Sequence, residues 1–335
     1  MSDDNQKPEE IQISSTQNLN LWDAENELPV FKHSPTSYHE NMQVHMANDK
    51  KYCTIRDIKK MISRQQFVEN DLFIIKTLFL YGYMTRYTLS LLISKMHDTD
   101  DGVPIRCNYK KALMKLVKNG VILRYYMTWE DSKRPCQSVC FYALSHGAEE
   151  YVRKVFALKS YPALMRMDST PDVRASDILK TATLNQFMVQ VQMHYGSHIV
   201  SKHLWYDIVL KKRTCSIPVI YRYIFKNREY IDLICMPLRS HPESNQELVS
   251  FIHACEEYVH VTKEPVFDKP FYLFICENSA HACAIDAAIR HCCTHKIYYL
   301  FLLDKNLLND KPFENLFSVL KTDDGISLEV QMLND

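Results

Sequence analysis

The chain of 335 residues is 46% hydrophobic and 24% charged, enough apolar material for one large core or two domain-sized ones, which excludes full-length disorder, a disulfide-stapled miniprotein and collagen. Lys plus Arg and Asp plus Glu number 40 each, so whole-chain charge argues for no polyanion, and any nucleic-acid case rests on where the charges sit. The six glycines form no spaced cluster of the kind that cradles phosphates, which disfavours nucleotide-binding folds.

Residues 1–30 carry seven acids against the single lysine Lys7, and the stretch to residue 48 is rich in Ser, Asn, Gln and His with few grouped apolar positions. That composition predicts a flexible arm over residues 1–48. No apolar segment follows MSDDNQKPEE and the eleven cysteines are scattered, so reduced thiols in a cytoplasmic protein are expected. The longest apolar runs, DLFIIKTLFLYGYM and KIYYLFLLD, fall short of the roughly 20 residues of a membrane span, and no membrane insertion is expected. KKYCTIRDIKKMISR then carries six basic residues and the one acid Asp57 with apolar positions at helical spacing. It is either a helix that prefaces a domain or a solvated linker face.

Residues 50–160 are expected to form a winged helix-turn-helix domain, most readable over 69–155. ENDLFIIKTLFLYG opens with Asn70 or Asp71 as a cap, runs apolar through Leu72, Ile75, Leu78 and Phe79, and stops at Gly82. Thr85 caps TRYTLSLLISK; DTDDGVP breaks it; RCNYKKALMKLVKNG follows as a third helix over about 106–119, ending at Gly120. VILRYYMTW and SVCFYAL read as strands around the turn EDSKRP, and SHGAEEYVRKVF as a closing helix capped by Ser145. Three helices, a hairpin and a closing helix in that order make a winged helix.

On the third helix Tyr109, Leu113, Leu116 and Val117 share one stripe, while Asn108, Lys111, Lys115 and Lys118 fall opposite. Between Val103 and Arg124 stand Arg106, Lys110, Lys111, Lys115, Lys118 and Arg124 with no acid. A helix anchored on one side with lysines outward suits phosphate contacts. Arg106 and Asn108 alone carry the planar donor chemistry that reads base edges. Lys133 and Arg134 at the hairpin turn extend the same surface. The same face also suits protein docking, or simple solvation.

KSYPALMRMDSTPDVRASD breaks periodicity and places a boundary at 160–175. Residues 175–335 are expected to form an α/β domain with a mixed sheet, giving an α+β chain overall. ILKTATLNQFMVQVQMHYG is a long helix with Leu184, Phe187, Met188 and Val191 on its apolar side. HIVSKHLWYDIVL (with some helical character), IPVIYRYIF, EYIDLICMPL, FYLFICE and IYYLFLL supply strands, and ELVSFIHACEEYVHV and SAHACAIDAAIRHCC the helices between the later ones. FYLFIC and YYLFLL read as buried on both faces.

Catalytic constellations are thin. Asp232, inside a strand, and Glu277, closing another, are reasonable positions for Mg²⁺ ligands on neighbouring strands. A nuclease also needs a second acid and a lysine, and after Asp232 the chain continues ICMPLRSHPES with Arg239 as the only base near. Cys283, His291, Cys292, Cys293 and His295 lie close in sequence, yet no Cys-x₂-Cys pair recurs, so buried or partly exposed thiols are expected rather than zinc. No catalytic residue, metal or cofactor is assigned.

The string from Asp71 to Gly120, with the hairpin and YALSHGAEEYV, resembles the N-terminal winged helix of the replication-relaxation family of plasmids and integrative elements. In that family a restriction-endonuclease-like α/β domain follows. TLNQFMVQVQ looks like the helix that opens it, EYIDLI like its aspartate-bearing strand (Asp232), and FYLFICEN like the later acidic strand, here Glu277 followed by Asn278. The resemblance, over about residues 69–310, implies double-stranded DNA binding in replication, transfer or regulation of a mobile element. Homodimerisation and protein partners in a replication or transfer complex fit it. The missing acid and lysine imply a degenerate nuclease fold acting as scaffold. The alternatives are a protein-interaction module of a DNA-processing complex and a metal-dependent nuclease.

Overall fold

A computed structural model describes residues 11–12, 42–47, 53–86, 88, 89, 92, 109–131, 134–156, 175–210, 214–225, 229–240, 244–263, 265–267, 270–293, 296–308, 311–322 and 325–331. The fold is α+β. Its two units centre on Tyr38–Val189 and Gln190–Asp335. Strand β1 (Ile11–Gln12) belongs with the second. Among the described residues no helix is long and apolar enough to cross a membrane.

In the first unit, β2 (Gln43–Met46) lies inside the segment expected to be an arm. It pairs antiparallel with β4 (Ile122–Asp131), and the His45 ring stacks on Tyr126. QVHM carries too few apolar residues to show a strand period, because an edge strand is specified largely by its neighbour. The ambiguous basic segment is a helix, α1 (Ile55–Ser63). Thr54 and Asp57 close a capping box: Asp57 N donates to Thr54 Oγ1 at 3.2 Å and Thr54 N to Asp57 Oδ2 at 3.0 Å, a motif in which the cap is worth about 1 kcal/mol. Ile58 and Met61 turn into the core.

Helix α2 (Glu69–Tyr81) starts earlier than expected, with its N-cap at Val68 rather than at Asn70 or Asp71. Asp71 acts from its third position, accepting from Val68 N at 2.8 Å. Ile74, Ile75, Leu78 and Phe79 are buried. After β3 (Met84–Thr85), Thr85 caps as expected: Thr88 N donates to its Oγ1 at 3.2 Å, and residues 86, 88, 89 and 92 are helical. Helix α3 (Tyr109–Lys118) ends at Gly120, whose φ of 69° is the left-handed conformation glycine tolerates best. Gly120 N donates to Val117 O and Val121 N to Leu116 O, both at 3.0 Å, the paired bonds of a Schellman cap.

The expected hairpin is present. β4 pairs with β5 (Arg134–Leu144) from Ile122 opposite Leu144 to Asp131 opposite Arg134, with an irregularity at Trp129–Asp131. The strands therefore run into the segment read as a polar turn. The sheet order is β2-β4-β5-β3. Helix α4 (His146–Phe156) follows, but the Ser145 hydroxyl makes no hydrogen bond, contrary to its expected capping role. Ser145 is held through its backbone instead, donating N–H to Val121 O at 3.0 Å.

Helix α5 (Ala175–Tyr195) is buried at every position from 178 to 191 rather than on one apolar side. Its polar residues manage this by returning to backbone carbonyls. Thr183 Oγ1 donates to Leu179 O at 2.7 Å, and Asn185 Nδ2 to Tyr81 O and Tyr83 O, both at 2.7 Å. The division between the units falls inside α5, after Val189.

The second unit is built on one mixed sheet. Strands β6 (Ile199–Val209), β7 (Thr214–Ile224) and β8 (Tyr230–Pro237) form an antiparallel meander. Helix α6 (Ser244–Val261) leads to β9 (Pro270–Cys276), and α7 (Ser279–Cys292) to β10 (Tyr298–Leu303), so β8, β9 and β10 run parallel. Strands β11 (Leu316–Thr322) and β12 (Gly325–Gln331), unread from sequence, add antiparallel pairs. The order is β1-β12-β11-β10-β9-β8-β7-β6. Residues 199–209 are strand throughout, with Trp205 at a φ of 49°. Tyr272–Cys276 and Leu300–Leu303 are continuously buried, as interior parallel strands are.

Candidate nucleic-acid interface

Helix α3 is anchored by Leu113, Leu116 and Val117, all buried, and packs on α2. Lys111 and Lys118 are exposed on the side opposite that anchor, and Lys110 is exposed at its flank. Lys115 departs from the expected row. Its ammonium pairs with the Asp71 carboxylate and donates to Gln66 O at 3.0 Å. Lys115 keeps 37% of its side chain exposed and Asp71 none. A carboxylate so buried draws the nearest cation, because an uncompensated charge there is costly. The outward row is thus Lys111 and Lys118 with Lys110 beside them. Arg106, Asn108 and Lys133 lie outside the described residues; Arg134 opens β5, and only its backbone pairing is described.

Charge is segregated along the chain. Residues 38–189 hold 23 Lys and Arg against 15 Asp and Glu, while the rest of the chain holds 17 against 25. The basic residues of α4 are neutralised locally, Arg153 by Glu149 and Lys154 by Glu150 one turn back. Among the described residues those of α1 have no such ion pair: Arg56, Lys59, Lys60 and Arg64 are exposed. The count of bases in that segment was legible in sequence, but their display on one side of a docked helix was not.

The acids considered as metal ligands are occupied and far apart. Both Asp232 oxygens accept from Arg222, Oδ1 from Nε at 2.8 Å and Oδ2 from Nη2 at 3.0 Å. The same guanidinium sits 4.7 Å from the centre of the Tyr230 ring and donates to Val266 O. Glu277 accepts from Ser240 through its backbone N–H, at 3.3 Å, and its hydroxyl. Asp232 pairs with Pro270 at the start of β9, whereas Glu277 follows the end of that strand. At ~3.3 Å per residue the seven residue steps from Pro270 to Glu277 set them about 23 Å apart, so they share no ion. Neighbouring strands bring residues together only at matching heights.

Sequence reading missed the cluster at the carboxyl ends of β8, β9 and β10. Arg239 and Asp304 are both fully buried and pair at 3.2 Å, and Arg239 Nη1 donates to Leu238 O at 2.7 Å. Burial, countered by Arg239 and reinforced by Glu277, pushes the Asp304 carboxyl up to about 7. Of the proposed thiol and imidazole group, Cys283, Cys292 and Cys293 are half-buried, His291 is exposed and His295 lies outside the described residues. Among the described residues no group of three or more His, Cys, Asp or Glu side chains is arranged to hold a metal ion. No protein family, curated protein or solved structure matches this chain.

Proposed function

We propose that the protein binds double-stranded DNA through the unit over Tyr38–Val189 and has no catalysis of its own. The observation that carries this reading is α3: a helix with a buried apolar anchor whose opposite side presents Lys111 and Lys118, with Lys110 exposed at its flank. Its place after α2 and the Thr85-capped turn, and before a hairpin and a closing helix, supports a winged helix that lays α3 against the duplex. The base excess of this unit supports a polyanion partner. For the second unit, the order α5, meander, α6 and parallel β9 supports a restriction-endonuclease-like scaffold. The Arg222–Asp232 pairing supports its being inactive. An accessory or regulatory role in a mobile element, in the manner of the replication-relaxation family, is the context this suggests, in the cytoplasm, as a homodimer or with partners of a replication or transfer complex.

Titrating a labelled duplex at two salt concentrations tests the reading. Each phosphate contact adds ~0.9 to the slope of log affinity against log salt, so Lys111→Ala with Lys118→Ala should lower it by about 1.8 on any sequence. Plasmid incubated with Mg²⁺ or Mn²⁺ should stay intact, and cleavage lost in D232N would overturn the non-catalytic part. One observation favours protein docking instead: Met114, 46% exposed among the lysines of α3. On that reading the duplex titration is flat.

A further inference from the structure

We infer that α1 is a second phosphate-contacting surface of the same unit, holding the DNA backbone alongside α3; this rests on the DNA-binding reading above. Ile58 and Met61 bury one side of α1. At about 100° per residue Arg56, Lys59 and Lys60 project from the other, with Arg64 at its edge. All four are exposed, and none forms an ion pair among the described residues. The only acid of the helix, Asp57, is committed to the capping box, where it also accepts from Thr54 Oγ1 at 2.8 Å.

Such a row works against the helix that carries it. Arg56 sits in the first turn, at the positive end of the helix dipole. Arg56 with Lys60, and Lys60 with Arg64, are like charges four residues apart, each pair costing a few tenths of a kcal/mol. A phosphate backbone reverses both penalties. From Arg56 to Arg64 the helix rises about 12 Å, enough to face several phosphates of one strand.

The row also continues that of α3. Gln65, at a φ of 54°, turns the chain out of α1, and the next carbonyl, Gln66 O, accepts from Lys115 of α3. Arg64 therefore lies two residues from a point touching the middle of α3, and Lys111 and Lys118 stand one turn to either side of Lys115. An anionic membrane is a poorer match, because the apolar side of α1 is spent in the core and leaves nothing to insert.

The test uses the full chain with Arg56→Gln, Lys59→Gln, Lys60→Gln and Arg64→Gln together, measured by fluorescence anisotropy on two unrelated duplexes across a salt series. Affinity should fall alike on both, and the slope should drop by up to about 3.6, at ~0.9 per lost contact. Circular dichroism should be unchanged. If that variant misfolds, Lys60→Gln with Arg64→Gln should still lower the slope by about 1.8. Wild-type affinity and slope in the folded variants, while Lys111→Ala with Lys118→Ala still weakens binding, would overturn the role of α1 and leave the DNA reading standing. A wild-type chain that binds no duplex would overturn both. Loss of binding to phosphatidylcholine–phosphatidylserine vesicles with duplex binding intact would assign the row to lipid and overturn the inference as well.

Discussion

Lys115→Ala separates folding from binding on α3. In the folded chain Asp71 Oδ2 receives Val68 N–H and the Lys115 ammonium, while its Oδ1 has no hydrogen-bond partner. Removing the ammonium leaves a fully buried carboxylate with one backbone donor. Breaking a fully buried pair costs about 3–5 kcal/mol, and an exposed pair is worth about 1 or less. With one partner wholly buried and the other 37% exposed, a loss of about 2 kcal/mol is expected, trimmed by a few tenths for the helix propensity of alanine. Because the chain has two units, urea unfolding is no guaranteed single transition, so hydrogen exchange of α2 and α3 amides is the sharper readout. Asp71→Asn combined with Lys115→Ala should be less destabilised than the two single changes added together, since Asn keeps the Val68 bond and carries no charge to bury. The salt slope of duplex binding should stay at its wild-type value, whereas Lys111→Ala should lower it by ~0.9. Wild-type amide protection in Lys115→Ala, with a slope reduced as in Lys111→Ala, would refute the reasoning and return Lys115 to the phosphate row.

Two further outcomes are expected. A Cβ on Gly147 would lie 1.9 Å from Cys53 O and 2.9 Å from the carbonyl carbons of Cys53 and Thr54. Gly147→Ala must therefore push α4 off the start of α1 at a cost of about 3 kcal/mol; wild-type exchange protection in both helices would contradict this. For Asp304 the carboxyl is raised from 3.8 to about 7 by burial, with Arg239 opposing and Glu277 reinforcing. The folded state therefore binds this proton more tightly than the unfolded chain. Its contribution is fully present below about pH 4 and is lost as pH rises through 7. Asp304→Asn abolishes that titration, so stability of the wild type should fall more steeply than that of the variant between those limits. Parallel pH profiles of hydrogen-exchange stability at the amides of β8, β9 and β10, corrected for intrinsic exchange, would refute it.

Local signals were readable from residues alone where one turn of chain decides the outcome. The glycine stop at Gly120, the Thr85 cap, the paired β-branched and aromatic runs around EDSKRP, and the long α5 all depend on neighbours within a few residues. The mixed sheet was legible too, because long helices between strands are the usual crossover that parallel pairing needs. What only the tertiary structure decided depends on distant neighbours. β2 is a strand because β4 lies beside it. Ser145 is fixed by its backbone bond to Val121, and its hydroxyl caps nothing. Lys115 turns from solvent because Asp71, forty-four positions earlier, is buried within its reach. Asp232 and Glu277 cannot share an ion because strand register sets them at opposite ends of β9, and Arg239 with Asp304 form a buried pair only where three parallel strands end together. By itself the sequence determined the helices, the hairpin and the central strands and where the charges lie along the chain, since backbone preference and side-chain period are local; the strands β2, β11 and β12 were not among them. The partner of each charge, and hence which lysines stay on the outer side of α3, is set by burial, which exists only once the chain has folded.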